Sequence, residues 1–214
     1  MKKVYLVIKT ILDRLLALIG LIILLPFFAV FAIIIKLESK GPVFFKQKRV
    51  GKNKEFFYIY KFRSMRTDTP KDMPTHMLKN AESYITKFGG FMRKTSIDEL
   101  PQIINILKGD MSIVGPRPAL WNQDDLIAER DKYHANDVLP GLTGWAQVNG
   151  RDELPIPVKA MLDGEYVEKM SLWFDIKIFF KTIINVFKHE GIVEGAQEEV
   201  KKEEKKVEES SNNR

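Results

Sequence analysis

The sequence Arg93-Lys-Thr-Ser-Ile-Asp98-Glu99-Leu-Pro-Gln102 places two adjacent carboxylates at the predicted start of a short helix. Ser96 and Glu99 fit the S-x-x-E capping box, in which both side chains satisfy free amides of the first turn. Acidic residues in that turn also stabilise the helix dipole, and Pro101 is tolerated there. Taken alone, this stretch favours a helix cap over a pair of reactive carboxylates.

The predicted helix runs from Asp98 to Leu107 and ends at Gly109, a residue type that commonly follows a helix C-terminus. Its apolar residues recur at helical spacing, so we expect one face to pack on a core. This face consists of Leu100, Ile103, Ile104 and Leu107.

Two arginines near the acidic pair change the interpretation. Arg93 precedes Asp98 by five residues, and Arg117 follows it by nineteen. Pro116 and Pro118 flank Arg117 and restrict the backbone on both sides of it. A cap needs neither arginine, whereas a phosphate site needs a nucleophile, a cation and charge clamps. We therefore predict a phosphate site at this place.

Three segments of the chain resemble the bacterial sugar transferases, the monotopic phosphoglycosyl transferases that begin glycan assembly on a polyprenyl phosphate. The segments are Arg93–Gln102, Lys108–Pro118 and Pro140–Arg151, and the similarity covers about residues 8 to 190. The resemblance implies transfer of a sugar 1-phosphate from a UDP-sugar to polyprenyl (undecaprenyl) phosphate, with release of UMP. It also implies that the chain catalyses the first membrane step of glycan or polysaccharide assembly.

The resemblance also implies residue roles. Asp98 would be the nucleophile that forms an aspartyl–phosphosugar intermediate, and Glu99 would act beside it and hold the Mg²⁺ ion. Arg93, Arg117 and Lys61 would bind the substrate phosphates. Arg63, two residues after Lys61, is interpreted as a surface charge.

The segment Pro140–Arg151 allows two interpretations from its pattern alone: a turn with a buried tryptophan, or a loop that contacts a nucleotide. The resemblance favours nucleotide or sugar recognition near this loop. The residues predicted to take part are Trp145, Gln147, Asn149 and Arg151.

Composition and charge exclude several kinds of site. The chain has no cysteine, which excludes disulfides and thiolate metal sites, and its three histidines lack metal-ligand spacing. Residues 36–66 hold ten Lys or Arg against Glu38 and Glu55, directly after an apolar segment. Beside a membrane segment, such a basic band favours anionic lipid headgroups over nucleic acid as its partner.

The apolar segment extends from Leu15 to Ile35 without a charge, about 31 Å as a straight helix. Pro26 near its middle disfavours a regular helix, and both flanks are basic, so both ends favour the cytoplasmic side. A re-entrant helix–break–helix over residues 1–36 satisfies both observations, and the resemblance implies the same element. A kinked full span is the alternative.

The rest of the chain predicts a mainly helical α+β catalytic domain over residues 37–190, with a small β-hairpin within Val43–Arg63. A charged helix is expected over Trp121–Asn136, solvated on most of its surface. The basic amphipathic helix Ser171–His189 suits the headgroup plane, with core packing as the alternative. The Glu/Lys tract of residues 191–214 predicts a disordered tail.

Two rival functions are compatible with the pattern. One is a membrane-anchored, non-catalytic scaffold of polysaccharide assembly whose acidic pair is only a cap. The other is the same reaction by direct, non-covalent transfer. In each case we expect the chain on the cytoplasmic face of a bacterial inner or plasma membrane. A homo-oligomer and downstream glycosyltransferases are candidate partners.

Overall fold

The computed structural model of the chain describes residues 2–70, 78, 80–150 and 154–188. Their helices and strands follow in the order α1 (Lys2–Glu38), β1 (Phe44–Val50), β2 (Phe56–Phe62), α2 (Lys87–Lys94), α3 (Ile103–Lys108), β3 (Ser112–Val114), α4 (Asp124–Asp131), β4 (Gly141–Thr143), α5 (Trp145–Val148), α6 (Ile156–Lys169) and α7 (Leu172–Lys188). Short 3₁₀ helices occupy Lys52–Lys54, Ala81–Ser83 and Ile97–Gln102. This is the predicted α+β, mainly helical fold class. The tail predicted over residues 191–214 lies outside the described residues.

One stripe of α1 packs on the rest of the chain. Its members recur every three or four residues, as expected for one face of a helix. They are Ala17, Leu21, Leu24, Phe28, Phe31 and Ile35, and they contact core residues of β2, α2 and α3. The outer faces are also apolar but exposed; among the described residues, α1 provides the one helix long and apolar enough to cross a membrane. The apolar N-terminal segment therefore serves as core on one side and offers bare apolar surface on the other.

The N-terminal part of α1 is fixed by polar contacts. Tyr5 Oη and Lys9 Nζ donate to Asp175 Oδ2 of α7, at 2.7 and 2.6 Å. Ser112 Oγ of β3 donates to Asp13 Oδ2 at 2.6 Å. Because Asp13 and Asp175 are both buried, these contacts satisfy carboxylates that would otherwise be costly to remove from water.

The C-terminal end of α1 is capped by Arg63. Its guanidinium donates to the carbonyl oxygens of Ile35, Ser39 and Lys40, at 3.2, 2.6 and 3.0 Å. A cation suits this position because the last carbonyls of a helix are unsatisfied and carry partial negative charge. The interpretation of Arg63 as a surface charge is wrong, since the residue is 5% exposed.

Pro26 lies inside α1, which is one continuous helix rather than two. The re-entrant topology predicted for residues 1–36 concerns the bilayer and stays a prediction, as does the division into a membrane element and a domain over 37–190.

The predicted β-hairpin is confirmed. β1 and β2 pair antiparallel from Phe44↔Phe62 to Val50↔Phe56, and Asn53 in the connection has a φ of +54°. The outer edge of β2 is paired by the fully buried Asn105 of α3. Its amide donates to Tyr58 O at 2.8 Å and accepts from Tyr60 N at 3.0 Å. Asn105 thereby holds the hairpin against the segment that follows the acidic pair.

The helix predicted over Asp98–Leu107 divides into the 3₁₀ helix Ile97–Gln102 and α3, closed by Gly109 at φ +86°. Three members of the expected apolar face, Leu100, Ile103 and Leu107, pack against the core. They are half-buried, however, and the fully buried side chains of α3 are Asn105 and Ile106. A 3₁₀ helix turns by 3.0 rather than 3.6 residues, so a face extrapolated from the first turn at α-helical spacing drifts around the axis.

A second, two-stranded parallel sheet positions Arg117. β3 pairs with β4 through Ser112↔Gly141 and Val114↔Thr143. Gly115 follows β3 so closely against Gly141 that a side chain at either position would collide with the other's backbone. Because the chain leaves β3 at a fixed place, the backbone of the following Pro116-Arg117-Pro118 segment is fixed as well.

The helices after β3 differ from expectation in extent. The helix predicted over Trp121–Asn136 is observed only as α4, and its Arg130 is buried rather than solvated. The helix predicted over Ser171–His189 is observed as α7. Its large apolar residues Trp173, Phe180 and Ile184 are exposed, while Ile178 packs in the core. This face has the character of an interfacial helix, and its contact with headgroups stays a prediction.

Candidate active site

The 3₁₀ helix Ile97–Gln102 carries both predicted carboxylates, and both are buried. Ser96, at its N-terminus, has a left-handed conformation (φ +56°, ψ +16°) and makes no side-chain capping bond. The capping box suggested by the Ser96…Glu99 spacing is therefore not formed. The backbone still closes the turn, with Glu99 N donating to Ser96 O at 3.2 Å.

Glu99 is held by two cations. Lys61 Nζ of β2 donates to Glu99 Oε1 at 2.8 Å, and Arg117 Nη2 donates to the same oxygen at 2.7 Å. Arg117 Nη1 lies 3.3 Å from Oε2, so the guanidinium approaches the carboxylate with both of its terminal nitrogens. Desolvation lowers the pKa of Lys61 from its ordinary value, and the nearby Glu99 opposes that shift. The three side chains form one partly desolvated ion cluster.

Asp98 is in the opposite situation. Among the described residues, no side chain donates a hydrogen bond to its carboxylate, although the residue is 6% exposed and lines a cavity. Burial raises the pKa of Asp98; Lys61 opposes this shift, Glu99 adds to it, and Arg93 and Arg117 oppose it. The acidic pair thus consists of one clamped carboxylate and one whose oxygens are available to a ligand.

The cavity has a volume of about 520 Å³ and brings the predicted phosphate-binding set together. Lys61, Arg93 and Arg117 line it with Asp98 and Glu99. Arg93 is in the last turn of α2, where its Nη1 lies 3.9 Å from the sulfur of Met65. Strand, helix and proline-flanked loop therefore each contribute one cation to the same space.

The segment 140–151 divides between cavity and core. Gln147 lines the cavity. Trp145 packs on Phe174 with ring centroids 5.0 Å apart, and its Nε1 donates to Glu165 at 2.8 Å. Asn149 donates to Trp145 O and accepts from Lys181, at 2.7 and 2.6 Å.

Trp145 and Asn149 are thus occupied by structural contacts and are absent from the described lining of the cavity. Arg151 lies outside the described residues. The ligand-binding roles of all four residues in this segment stay predictions.

The acidic pair offers oxygen ligands of the kind that Mg²⁺ prefers. Among the described residues, no group of three or more His, Asp or Glu is placed to hold a metal ion. Mg²⁺ is usually bound by one or two carboxylates, with substrate phosphate and water completing the shell. Asp98 and Glu99 fit that pattern, and Glu99, the predicted ligand, is the more occupied of the two.

The cavity extends beyond the predicted residues. Its lining also includes Gln47, Arg49, Gln123, Arg130 and Lys159. Sequence reasoning did not find them, because they come from β1, the α4 region and α6, and nothing in their local patterns links them. One local signal was available in α6. Lys159 and the buried Asp163 are four residues apart, so they lie on the same face of that helix.

Comparison with known proteins places the chain among relatives of similar sequence. A family model described as bacterial sugar transferase matches residues 4–189. A Xanthomonas campestris protein named UDP-glucose:undecaprenyl-phosphate glucose-1-phosphate transferase is 41% identical over 85% of this chain and 39% of its own length. An Aeromonas hydrophila protein named UDP-N-acetylgalactosamine-undecaprenyl-phosphate N-acetylgalactosaminephosphotransferase is 40% identical over 84% of this chain and 44% of its own length.

A shorter relative is matched over nearly all of its length. The Rhizobium leguminosarum exopolysaccharide production protein PSS is 39% identical over 84% of this chain and 95% of its own length. The chain therefore spans less than half of the two longer relatives and almost all of the shorter one.

Proposed function

Because the chain belongs to the bacterial sugar transferase family, we propose that it transfers a sugar 1-phosphate from a UDP-sugar to undecaprenyl phosphate, releasing UMP. The names of the Xanthomonas and Aeromonas relatives support this reaction class. Those two relatives name different sugars at nearly the same identity, so the sugar is left open. The name of the Rhizobium relative favours a role in exopolysaccharide assembly.

The observation that carries the proposal is the contrast between the two adjacent carboxylates. A nucleophile needs a lone pair that no hydrogen bond holds, and the Asp98 carboxylate meets this condition among the described residues. Glu99 is neutralised by Lys61 and Arg117, so it does not repel a phosphate that approaches Asp98. A capping pair would show the reverse, with its carboxylates turned to backbone amides.

The reaction then follows in two displacements. An oxygen of Asp98 attacks the sugar-linked phosphorus, and the bond from that phosphorus to the UMP oxygen breaks. UMP leaves with the electron pair of that bond. A phosphate oxygen of the lipid next attacks the same phosphorus and expels Asp98, which regains its carboxylate. Arg93, Arg117 and Lys61 stabilise the phosphoryl oxygens as their charge changes.

Glu99 would supply a protein ligand of Mg²⁺, and substrate phosphate and water would complete the shell. The ion would neutralise the diphosphate, which otherwise repels a carboxylate nucleophile. The protein side chains would contribute in two further ways. Lys61 and Arg117 orient Glu99, and the burial of Asp98 removes water from its oxygens.

The lipid acceptor calls for a site beside a membrane, and α1 supports one. From Lys9 to Ile35, α1 packs on the same globular part of the chain. A helix whose two ends both contact that part cannot place them on opposite sides of a bilayer unless the globular part is itself in the bilayer. Together with the basic flanks, this supports a re-entrant α1 at the cytoplasmic face of the bacterial inner membrane.

The test is intact-mass analysis of the detergent-solubilised chain with Mg²⁺ and a panel of UDP-sugars, beside Asp98→Asn. We expect an added sugar-phosphate mass on the unmodified chain, absent from Asp98→Asn and discharged by undecaprenyl phosphate. UMP release that requires the lipid, without an adduct, would support direct transfer instead. Turnover of Asp98→Asn within about tenfold of the unmodified chain, less than ~1.4 kcal/mol of transition-state stabilisation, would contradict the assignment of Asp98.

A further inference from the structure

The cavity has a second polar wall that the proposed chemistry does not use. The 3₁₀ helix of Asp98 packs mainly on β2, α2 and α3, whereas α4 packs mainly on α6. The segment Arg117–Leu120 lines the space between these two groups of elements. Beyond it lie Gln123 and Arg130 of the α4 region and Lys159 of α6.

Arg130 is fixed at this wall by a buried carboxylate. Its Nε and Nη2 both donate to Asp163 Oδ2, at 2.8 and 2.6 Å. The side chains of Arg130 and Asp163 are 4% and 1% exposed. With two of its nitrogens held in one plane, the guanidinium cannot turn away from the cavity.

The pair is not explained by stability alone. A buried ion pair loses much of its attraction to desolvation, and apolar side chains of the same size often serve a fold as well or better. Asp163 Oδ1 is also buried, and none of the described residues gives it a hydrogen bond, so Arg130 does not fully satisfy the carboxylate. Such an incompletely satisfied buried pair beside a cavity is typical of a functional site.

Two hydrogen-bond donors on this wall are left for a ligand. Arg130 Nη1 makes no hydrogen bond with any of the described residues. Gln123 uses its Oε1 to accept from Leu120 N at 2.8 Å, and its Nε2 likewise has no partner in the described part of the chain. Within the described part of the chain, Asp98 and Glu99 are the only acidic residues that line the cavity. A ligand here must therefore offer acceptor oxygens.

We propose that Arg130, positioned by Asp163 and assisted by Gln123, donates a hydrogen bond to an acceptor oxygen of the bound nucleotide sugar, and so contributes to substrate selection. The inference rests on the proposed function. The acceptor belongs either to the uridine part, through a uracil carbonyl or ribose oxygen, or to the sugar, through a hydroxyl or acetamido oxygen. Both sources present the same chemistry to a guanidinium.

The test compares ligand affinities without turnover. All proteins carry Asp98→Asn, and binding of UMP, UDP-glucose and UDP-N-acetylgalactosamine is measured by calorimetry on the full chain in detergent with Mg²⁺. The variant is Arg130→Met with Asp163→Leu, which removes both charges together, because Arg130→Met alone would leave a buried carboxylate unpaired. The control is Lys54→Met with Asp131→Asn, which removes an exposed ion pair between the hairpin connection and the last residue of the same helix.

We expect the variant to weaken binding by about tenfold or more, the scale of a hydrogen bond to a charged group, and the control to bind like its parent. Weaker binding of UMP assigns the acceptor to the uridine part. Unchanged UMP binding with weaker binding of a UDP-sugar assigns it to the sugar. If the folded variant binds all three ligands as its parent does, the inference is wrong. If the parent itself binds none of them, the proposed function fails first.

A kinetic arm separates positioning from general loss of structure. In chains that retain Asp98, the double variant and Asp163→Asn should lower kcat/KM for the UDP-sugar more than kcat/KM for undecaprenyl phosphate. The second ratio should be unchanged if the acceptor lies in the uridine part, which leaves with UMP before the lipid reacts. In a ping-pong reaction each ratio reports its own half-reaction. An equal fall in both ratios would overturn the assignment, because a damaged fold does not distinguish the two substrates.

Discussion

Replacing Asp98 with asparagine should abolish turnover and yet leave the folded chain at least as stable as before at neutral pH. Asp98 is buried, and no described side chain donates to its carboxylate. Burial raises the pKa of Asp98 above its ordinary value, which means that its ionised form is less favourable in the folded than in the unfolded chain. Removing that charge relieves an unfavourable contribution to the folded state.

The magnitude follows from the cost of burying a group without a hydrogen-bond partner. That cost is about 1–3 kcal/mol and is larger for a charged group, so we expect Asp98→Asn, which removes only the charge, to raise the free energy of unfolding by about 1 kcal/mol. For a chain of this size, that is a rise in Tm of about 2–4 °C.

The pH dependence has a fixed sign. Below the unfolded-state pKa of about 3.9, Asp98 is protonated in both states and the two proteins should have equal stability. As the pH rises through the higher pKa of the folded state, the unmodified chain loses stability relative to the variant. The gap should therefore open with rising pH and be complete once the pH lies above the folded-state pKa of Asp98.

Thermal unfolding in detergent, without nucleotide or Mg²⁺ and over a pH series, measures this gap. Asp98→Ala is the control, because alanine cannot cap a helix whereas asparagine can, and loss of a cap costs about 1 kcal/mol. Both variants should match or exceed the stability of the unmodified chain at neutral pH. Destabilisation of both by about 1 kcal/mol or more would show that Asp98 supports the fold, and the argument for a free nucleophile would be refuted.

Three further predictions follow from the contacts of the clamped and capping residues. Glu99→Gln leaves Lys61 and Arg117 without their carboxylate and should lower the free energy of unfolding by about 1–3 kcal/mol in the same melts; an unchanged Tm would contradict the clamp. Arg63→Lys can satisfy fewer carbonyls at the end of α1 and should cost about 1–2 kcal/mol, whereas a neutral result would deny the cap. Asn105→Leu should cost about 2 kcal/mol and speed hydrogen exchange at the Tyr60 amide, the group its Oδ1 accepts from; unaltered exchange would contradict the contact.

Local patterns were enough to predict the elements whose hydrogen bonds and turns involve only residues near each other in the sequence. The hairpin was predicted because alternating aromatic residues and a Gly–Asn turn specify a two-stranded unit without help from the rest of the chain. The apolar spacing before Gly109 likewise predicted the end of α3. Where the backbone departs from regular geometry the prediction was wrong: the Ser96…Glu99 spacing suggested a capping box, but the left-handed Ser96 and the attraction of Lys61 and Arg117 direct Glu99 elsewhere.

Residues joined only by tertiary contacts could not be found from the sequence. Arg130 stands in a charged stretch that predicts a solvated helix, and its burial depends on Asp163, which lies 33 residues away. In the sequence, Asn105 is a polar residue that interrupts an apolar helix. Its role is evident only from its hydrogen bonds to the edge of β2. In both cases the deciding fact is a partner that no local spacing identifies.

The cations that hold Glu99 and the contacts that hold α1 meet in three consecutive residues. Side chains alternate across a strand, so Lys61 and Phe62 point to opposite faces at the end of β2. Lys61 reaches Glu99, while Phe62 packs edge-on against Phe28 and Phe31 of α1, with ring centroids 5.0 and 5.9 Å apart. Arg63, the next residue, caps the same helix. Any shift of α1 along its axis would therefore move Phe62 and Arg63, and with them Lys61, which contacts the acidic pair. α1 therefore helps to position the site, because Phe62 and Arg63, which contact the helix, directly follow Lys61, which binds Glu99.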